Sequence, residues 1–223
     1  MRILVVDDKQ MHRESARETL ADHELTIVSS FDEVMDYLVE KIDEEKRSRL
    51  LAEAGLADKK DSKDEAERKI YWEKYKELRA QCVIPFGFDA VLTDMMMPMS
   101  RRTLGPGIYN PDEQVPYGFV IALKAAARGA KLVALVTDVN HHQGAMSAAI
   151  DHLYEVAVNG AKALFLHARF VEDVVSDAPC ESCNGSGRDR YEVCWRCKGA
   201  KVLAEQKVYK RKDWGAALRT LLE

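Results

Sequence analysis

The sequence has no apolar run approaching the 18 or so residues needed to cross a bilayer. Its opening, Met1-Arg2-Ile3-Leu4-Val5-Val6-Asp7-Asp8, holds too short an apolar run for the hydrophobic part of a signal peptide and ends in acid. A cytoplasmic protein is expected. Net charge is also small, since 33 basic and 37 acidic residues leave −4. That argues against a general binder of nucleic acid or anionic membrane, because phosphate surfaces reward clustered positive charge. Cysteine is sparse: of five, Cys82 stands alone and the others form two Cys-x-x-Cys pairs, which in a reducing compartment favours metal over disulfide. Of only six prolines, three fall between Ser100 and Pro116, marking a loop.

At 223 residues the chain fits one decorated domain or one domain plus a small module. Hydrophobic residues make up 47%, enough for a buried core. Charge is unevenly spread. Glu40 to Arg79 holds 24 charged residues in 40, twelve of each sign, whereas the other 183 positions carry 46. Within that stretch Leu50, Leu51 and Ala54, then Ile70, Tyr71, Trp72, Tyr75 and Leu78, flank a polar centre, the pattern of a helical hairpin. It reads as a solvated insertion with many i,i+4 ion pairs, or alternatively as an interaction arm or dimer-forming coiled coil.

Elsewhere strands and helices alternate. Ile3 to Val6, Leu25 to Ser29, Phe88 to Asp94, Leu132 to Val136 and Ala161 to Leu166 read as strands, the first a β-branched run stopped by two aspartates. Helices are expected over Gln10 to Leu20, with Met11, Ala16 and Leu20 toward the core, and after the capping-box sequence Ser30-Phe31-Asp32-Glu33. Further helices are expected over Tyr117 to Arg128 before Gly129, over Gly144 to Val158 before Asn159-Gly160, and over Trp214 to Leu222 with Asp213 as N-cap. Such alternation means right-handed βαβ units, a parallel sheet, and a ligand site at the carboxyl ends of the strands. That edge receives Asp7, Asp8, Asp94 and Thr137.

Carboxylates gathered at one edge repel, so they are partly protonated or neutralised by a cation, and hard oxygen ligands suit Mg²⁺. An aspartate there can also attack a phosphoryl group. The plainer alternative is that aspartates end strands as turn residues or caps. The runs Ile3-Leu4-Val5-Val6-Asp7-Asp8, Asp89-Ala90-Val91-Leu92-Thr93-Asp94-Met95-Met96-Met97-Pro98, Leu135-Val136-Thr137 and Asn159-Gly160-Ala161 resemble the receiver domains of two-component response regulators.

The resemblance implies a flavodoxin-like five-stranded parallel sheet, order 2-1-3-4-5. It implies Asp94 as phosphoacceptor, Mg²⁺ held by Asp7, Asp8, Asp94 and the Met96 carbonyl, and Thr137 bonding a phosphoryl oxygen. The receiver core would span 1–39, 81–98, 117–175 and 212–223, interrupted by the hairpin 40–80, the loop 99–116 and a cysteine module 176–211. Receivers end the fifth strand with Lys-Pro, whose ammonium grips the phosphoryl group. That register here gives His167-Ala168, with Lys210 or Lys212 as other sources of the charge. Asp138 stands where the family usually has a small residue, and its charge is expected to repel a phosphodonor. The implied partners are a histidine kinase or phosphotransfer protein and an unidentified downstream protein. The two alternatives are a pseudo-receiver acting as an interaction scaffold and a Mg²⁺-dependent phosphohydrolase.

Cys180, Cys183, Cys194 and Cys197 have the spacing of two knuckles that complete a tetrahedral Cys₄ zinc site, with a redox dithiol as the competing reading. Cys180-Glu-Ser-Cys183-Asn-Gly185-Ser-Gly187 resembles the repeat of the DnaJ-type cochaperone zinc region, and Cys194-Trp-Arg-Cys197-Lys-Gly199 matches it in part. One structural zinc is expected. Arg101-Arg102 and His141-His142 are secondary candidates for contacts at the acidic edge, and Cys82 reads as a buried free thiol.

Overall fold

The computed structural model describes residues 1–102, 107–110, 112–138, 155–175, 178–179, 186, 188–189, 192–193, 202–203 and 207–223. In chain order these form β1 (Arg2–Val6), α1 (Gln10–Thr19), β2 (Glu24–Val28), α2 (Phe31–Leu38), α3 (Glu44–Glu53), α4 (Glu65–Gln81), β3 (Ala90–Asp94), β4 (Met97–Pro98) and β5 (Gln114–Val115). Then come α5 (Tyr117–Arg128), β6 (Leu132–Thr137), β7 (Glu155–Val158), β8 (Ala161–His167), β9 (Phe170–Val175), four two-residue strands, a long strand Lys207–Lys212 and the C-terminal helix Trp214–Leu222. We call the long strand the return strand. Among the described residues no helix is long and apolar enough to cross a membrane.

The main sheet runs β2-β1-β3-β6-β8-β7, parallel throughout except for β7. Side chains alternate along each strand, so the buried run Ile3-Leu4-Val5-Val6 feeds two cores. Leu4 and Val6 join Val91 and Val133 against Phe31, Val34 and Leu38 of α2 and Ile121 and Ala125 of α5. Ile3 and Val5 join Leu92, Ala134 and Val136 against Ala16 of α1 and Trp214, Leu218 and Leu221 of the C-terminal helix. Burial on both faces is why these strands read as continuous apolar runs.

Local signals are met in detail. Ser30 Oγ accepts from Glu33 N at 3.2 Å, while the Glu33 carboxylate accepts from Ser29 N at 2.8 Å. Asp213 caps the last helix by accepting from Ala216 N at 2.8 Å, and Gly129 ends α5 with φ 100°. The charged stretch is a helical hairpin, α3 against α4, closed over Leu51, Tyr71 and Leu78 and joined at its base by the Ile42–Val83 bridge. Cys82 is a buried free thiol.

Two expectations are corrected. The helix expected to run to Val158 does not: Glu155–Val158 is β7, antiparallel to β8, with Val158 opposite Ala161. Asn159 (φ 50°) and Gly160 (φ 79°) are the two-residue turn between them. Two consecutive positive φ values make a primed hairpin turn, for which Asn-Gly is the preferred pair, and the sheet gains a sixth strand. The second correction concerns the end of β8. The chain leaves the sheet after His167, pairs β9 with the return strand from Phe170–Lys212 to Val175–Lys207, and only then enters the last helix. The added ribbon therefore begins at Phe170, ahead of the boundary expected at 176.

Candidate functional site

Asp7 and Asp8 follow β1, Asp94 ends β3 and Thr137 ends β6, all at the carboxyl edge of the sheet. The pairing that sets Leu4 beside Val91, and Asp94 beside Val136, brings these ends together. One oxygen each of Asp7, Asp8 and Asp94 lies within 4.8 Å of the others. Asp7 and Asp94 are buried and Asp8 half-buried. Asp7 Oδ1 accepts from Lys9 N at 2.8 Å, and Asp94 Oδ1 accepts from Met95 N at 2.7 Å. Burial pushes the Asp94 carboxyl up to about 6, with Lys212 opposing and Asp7 adding to the rise. Burial also raises Asp8, helped by the Asp7 charge.

The ammonium at this edge belongs to Lys212, the last residue of the return strand. Its Nζ, fully buried, lies 2.9 Å from Asp7 Oδ2 and 2.8 Å from Asp94 Oδ1, and 5.5 Å from the Trp214 ring centroid. His167, the residue that register placed in this role, is exposed at the end of β8 opposite Thr137. Lys210 is also exposed and pairs with Glu172 at 3.4 Å. Of the two lysines that the sequence offered as substitutes, Lys212 is the one that arrives: 44 residues separate it from His167 in the chain, and the ribbon returns the strand beside its point of departure.

Asp138 does not stand as a bare charge. Lys9 Nζ donates to its Oδ2 at 2.6 Å, and His12 Nε2 lies 3.7 Å from the same oxygen. His12 and Lys9 together hold the Asp138 carboxyl well below the usual carboxylate range. Burial opposes the Lys9 charge, but the bond to Asp138 and the nearby carboxylates raise its pKa. The repulsion expected from Asp138 is thus largely compensated by adjacent cationic or polar groups.

Gly118, in the first turn of α5, is a site residue that sequence patterning passes over. A Cβ on it would lie 2.2 Å from the Asp94 carbonyl oxygen and 2.7 Å from Met95 Cα, so only glycine lets α5 start against the end of β3. Its N–H donates to the Met95 carbonyl at 3.0 Å. Met96 follows in the turn before β4. Met95 is buried with Leu135 beside Met96, Phe119 and Phe165, and Phe119 and Phe165 are 5.4 Å apart between centroids. Arg101 and Arg102 turn to α2 instead: Arg102 pairs with Asp36 at 2.8 Å and Arg101 N donates to Asp32 at 3.0 Å. His141, His142 and the four paired cysteines, Cys180, Cys183, Cys194 and Cys197, lie outside the described residues.

The donor set fits a hard divalent cation. Three carboxylates converge, and Asp8 Oδ1 is buried with no hydrogen-bond partner among the described residues, a costly state for a carboxylate oxygen unless a cation meets it.

No protein-family model matches the chain, and no curated protein does. Among solved structures it is similar to the solution structure of a response regulator protein from Burkholderia multivorans, at 17% identity over 75% of this chain and 82% of that one. The TM-score is 0.30, an overlap too low to transfer any residue's role, so function has to be read from the chain's own parallel α/β sheet and acidic edge.

Proposed function

We propose that this chain is a phosphoryl-accepting signalling switch of the receiver type, with Asp94 as acceptor. The observation that carries the reading is the buried Lys212 ammonium seated between Asp7 and Asp94. A buried ammonium touching the prospective nucleophile, beside an orphan Asp8 oxygen, supplies a second cationic position, the number a dianionic phosphoryl group on Asp94 calls for.

Asp7, Asp8, Asp94 and the Met96 carbonyl would hold Mg²⁺, which neutralises phosphoryl oxygens during transfer. Ionised Asp94 attacks phosphorus, an O–P bond forms, and the bond to the donor's leaving group breaks. With a phosphohistidine donor the departing imidazole takes the electron pair. Lys212 pairs with an oxygen of the transferred group, and Thr137, buried at the end of β6, donates its hydroxyl to another.

A histidine kinase or phosphotransfer protein is the natural donor, and output is altered binding of a protein partner. Cys180, Cys183, Cys194 and Cys197 would hold one structural zinc, and metal analysis should find about one per chain. The functional test is intact-mass measurement after incubation with Mg²⁺ and acetyl phosphate, alongside fluorescence with beryllofluoride. Wild type should gain one phosphoryl group and Asp94→Asn none. Equal behaviour of the two proteins would remove the phosphoacceptor and leave an interaction scaffold or a phosphohydrolase.

A further inference from the structure

Lys212 arrives from outside the main sheet, since among the described residues the return strand pairs with β9 and with no strand of that sheet. Main-sheet hydrogen bonds therefore do not fix it, and something else must. Two polar residues on the buried side of α1 meet its backbone. His12 Nδ1 accepts from Lys212 N at 3.2 Å, and Ser15 Oγ donates to the Lys212 carbonyl at 2.7 Å. Both are buried, three residues apart and so on one face of the helix. Trp214 Nε1 donates to the His12 carbonyl at 3.0 Å, tying the other side of the lysine to the same turn.

An interior helix face is ordinarily apolar, and a buried imidazole and hydroxyl there are costly without partners. Here each finds its partner in one residue of the chain, Lys212. Since Nδ1 accepts, the ring proton sits on Nε2, directed at Asp138. We infer that His12 and Ser15 are positioning residues, a clip on α1 that fixes the Lys212 backbone so that its ammonium meets Asp7 and Asp94. The inference rests on the phosphoryl-acceptor reading for its functional meaning, but not for its geometry.

Chemistry separates the clip from mere packing. Asn at position 12 offers an amide oxygen near the Nδ1 position, whereas Gln reaches toward the Nε2 position and Ala offers neither. Two measurements on the full chain use this. In the first, an amine-acylating reagent and mass spectrometry follow the labelling rate of Lys212, with exposed Lys124 as internal control. Lys212 should stay protected in wild type and His12→Asn, and be labelled about tenfold faster in His12→Ala and His12→Gln, the scale of one hydrogen bond to a buried group. Ser15→Ala should be intermediate.

In the second, half-saturation by beryllofluoride with Mg²⁺ should weaken about tenfold in the same unprotected variants while binding of Mg²⁺ alone does not weaken. A general loosening of the edge would weaken both. Protection of Lys212 in every variant, or Asn behaving as Ala does, overturns the clip. A wild type blind to beryllofluoride, with the protection pattern as expected, leaves the clip standing and overturns the phosphoryl reading instead.

Discussion

Replacing Lys212 by Met removes the ammonium and keeps most of the buried stem. Its Nζ has no solvent exposure and lies within 2.9 Å of two carboxylates. Removing one member of a buried ion pair costs about 3–5 kcal/mol, because the remaining charge is stranded. Asp94 limits the damage. Its carboxyl already sits at about 6, so at neutral pH it takes up a proton at a cost near 1.4 kcal/mol per pH unit. The low end, about 3 kcal/mol, is therefore expected in chelator. With a urea slope of about 3 kcal/mol/M for a chain of this size, the midpoint falls by roughly 1 M.

Mg²⁺ and the ammonium are like charges drawn to the same carboxylates, so the variant should bind the metal more tightly than wild type. Each tenfold gain in affinity returns about 1.4 kcal/mol at saturation and narrows the gap. Urea unfolding of both proteins, with chelator and with saturating Mg²⁺, reads the two effects. Equal stability in chelator, or a gap that Mg²⁺ leaves untouched, would refute the reasoning.

Other outcomes depend on the same geometry. The folded-state pKa of Asp94, about 6, exceeds its ordinary 3.8, so the folded chain holds that proton more tightly than the unfolded chain. Its contribution is fully present below 3.8 and is lost as pH rises through about 6, in all about 3 kcal/mol. In chelator, Asp94→Asn should flatten that limb of a stability–pH curve measured by urea midpoints. For the same reason Mg²⁺ binding should weaken up to tenfold per pH unit below about 6, as read by calorimetry. Gly118→Ala forces the backbone of Asp94 and Met95 to move, costing about 1–3 kcal/mol and slowing modification by acetyl phosphate in a time course of intact mass. Gly160→Ala, at φ 79°, should cost about 1–2 kcal/mol by thermal unfolding, because a left-handed position in the turn no longer suits the residue.

The sheet was legible because its central strands are short apolar runs, three of which, β1, β3 and β6, stop at acid or threonine, and a two-faced core demands such runs. The acidic edge was legible for the same reason, since Asp7, Asp8 and Asp94 stand where the runs stop. Asn159-Gly160 shows how one signal serves two structures. The same pair can stop a helix or turn a hairpin, and the choice belongs to β8, which offers β7 an edge to pair with. Periodicity placed Met11, Ala16 and Leu20 on the inner face of α1; Ala16 and Leu20 are buried there and Met11 is half-buried, while His12 and Ser15, which periodicity passed over, are buried beside them. These two are polar, and their partner lies about 200 positions away, beyond the reach of any window on the sequence. Gly118 carries no positive φ to announce it; its reason is the backbone it touches.

The return of Lys212 at the end of a long excursion also orders events in time. Synthesis delivers Asp7, Asp8, Asp94 and Thr137 first, and the ammonium they await emerges only with residue 212. The same segment brings Trp214, Leu218 and Leu221, which complete one of the two cores. On a ribosome, then, one layer of the core and the ammonium of the acidic edge dock together, and a chain interrupted anywhere before that point would carry Asp7 and Asp94 without the lysine that pairs with both.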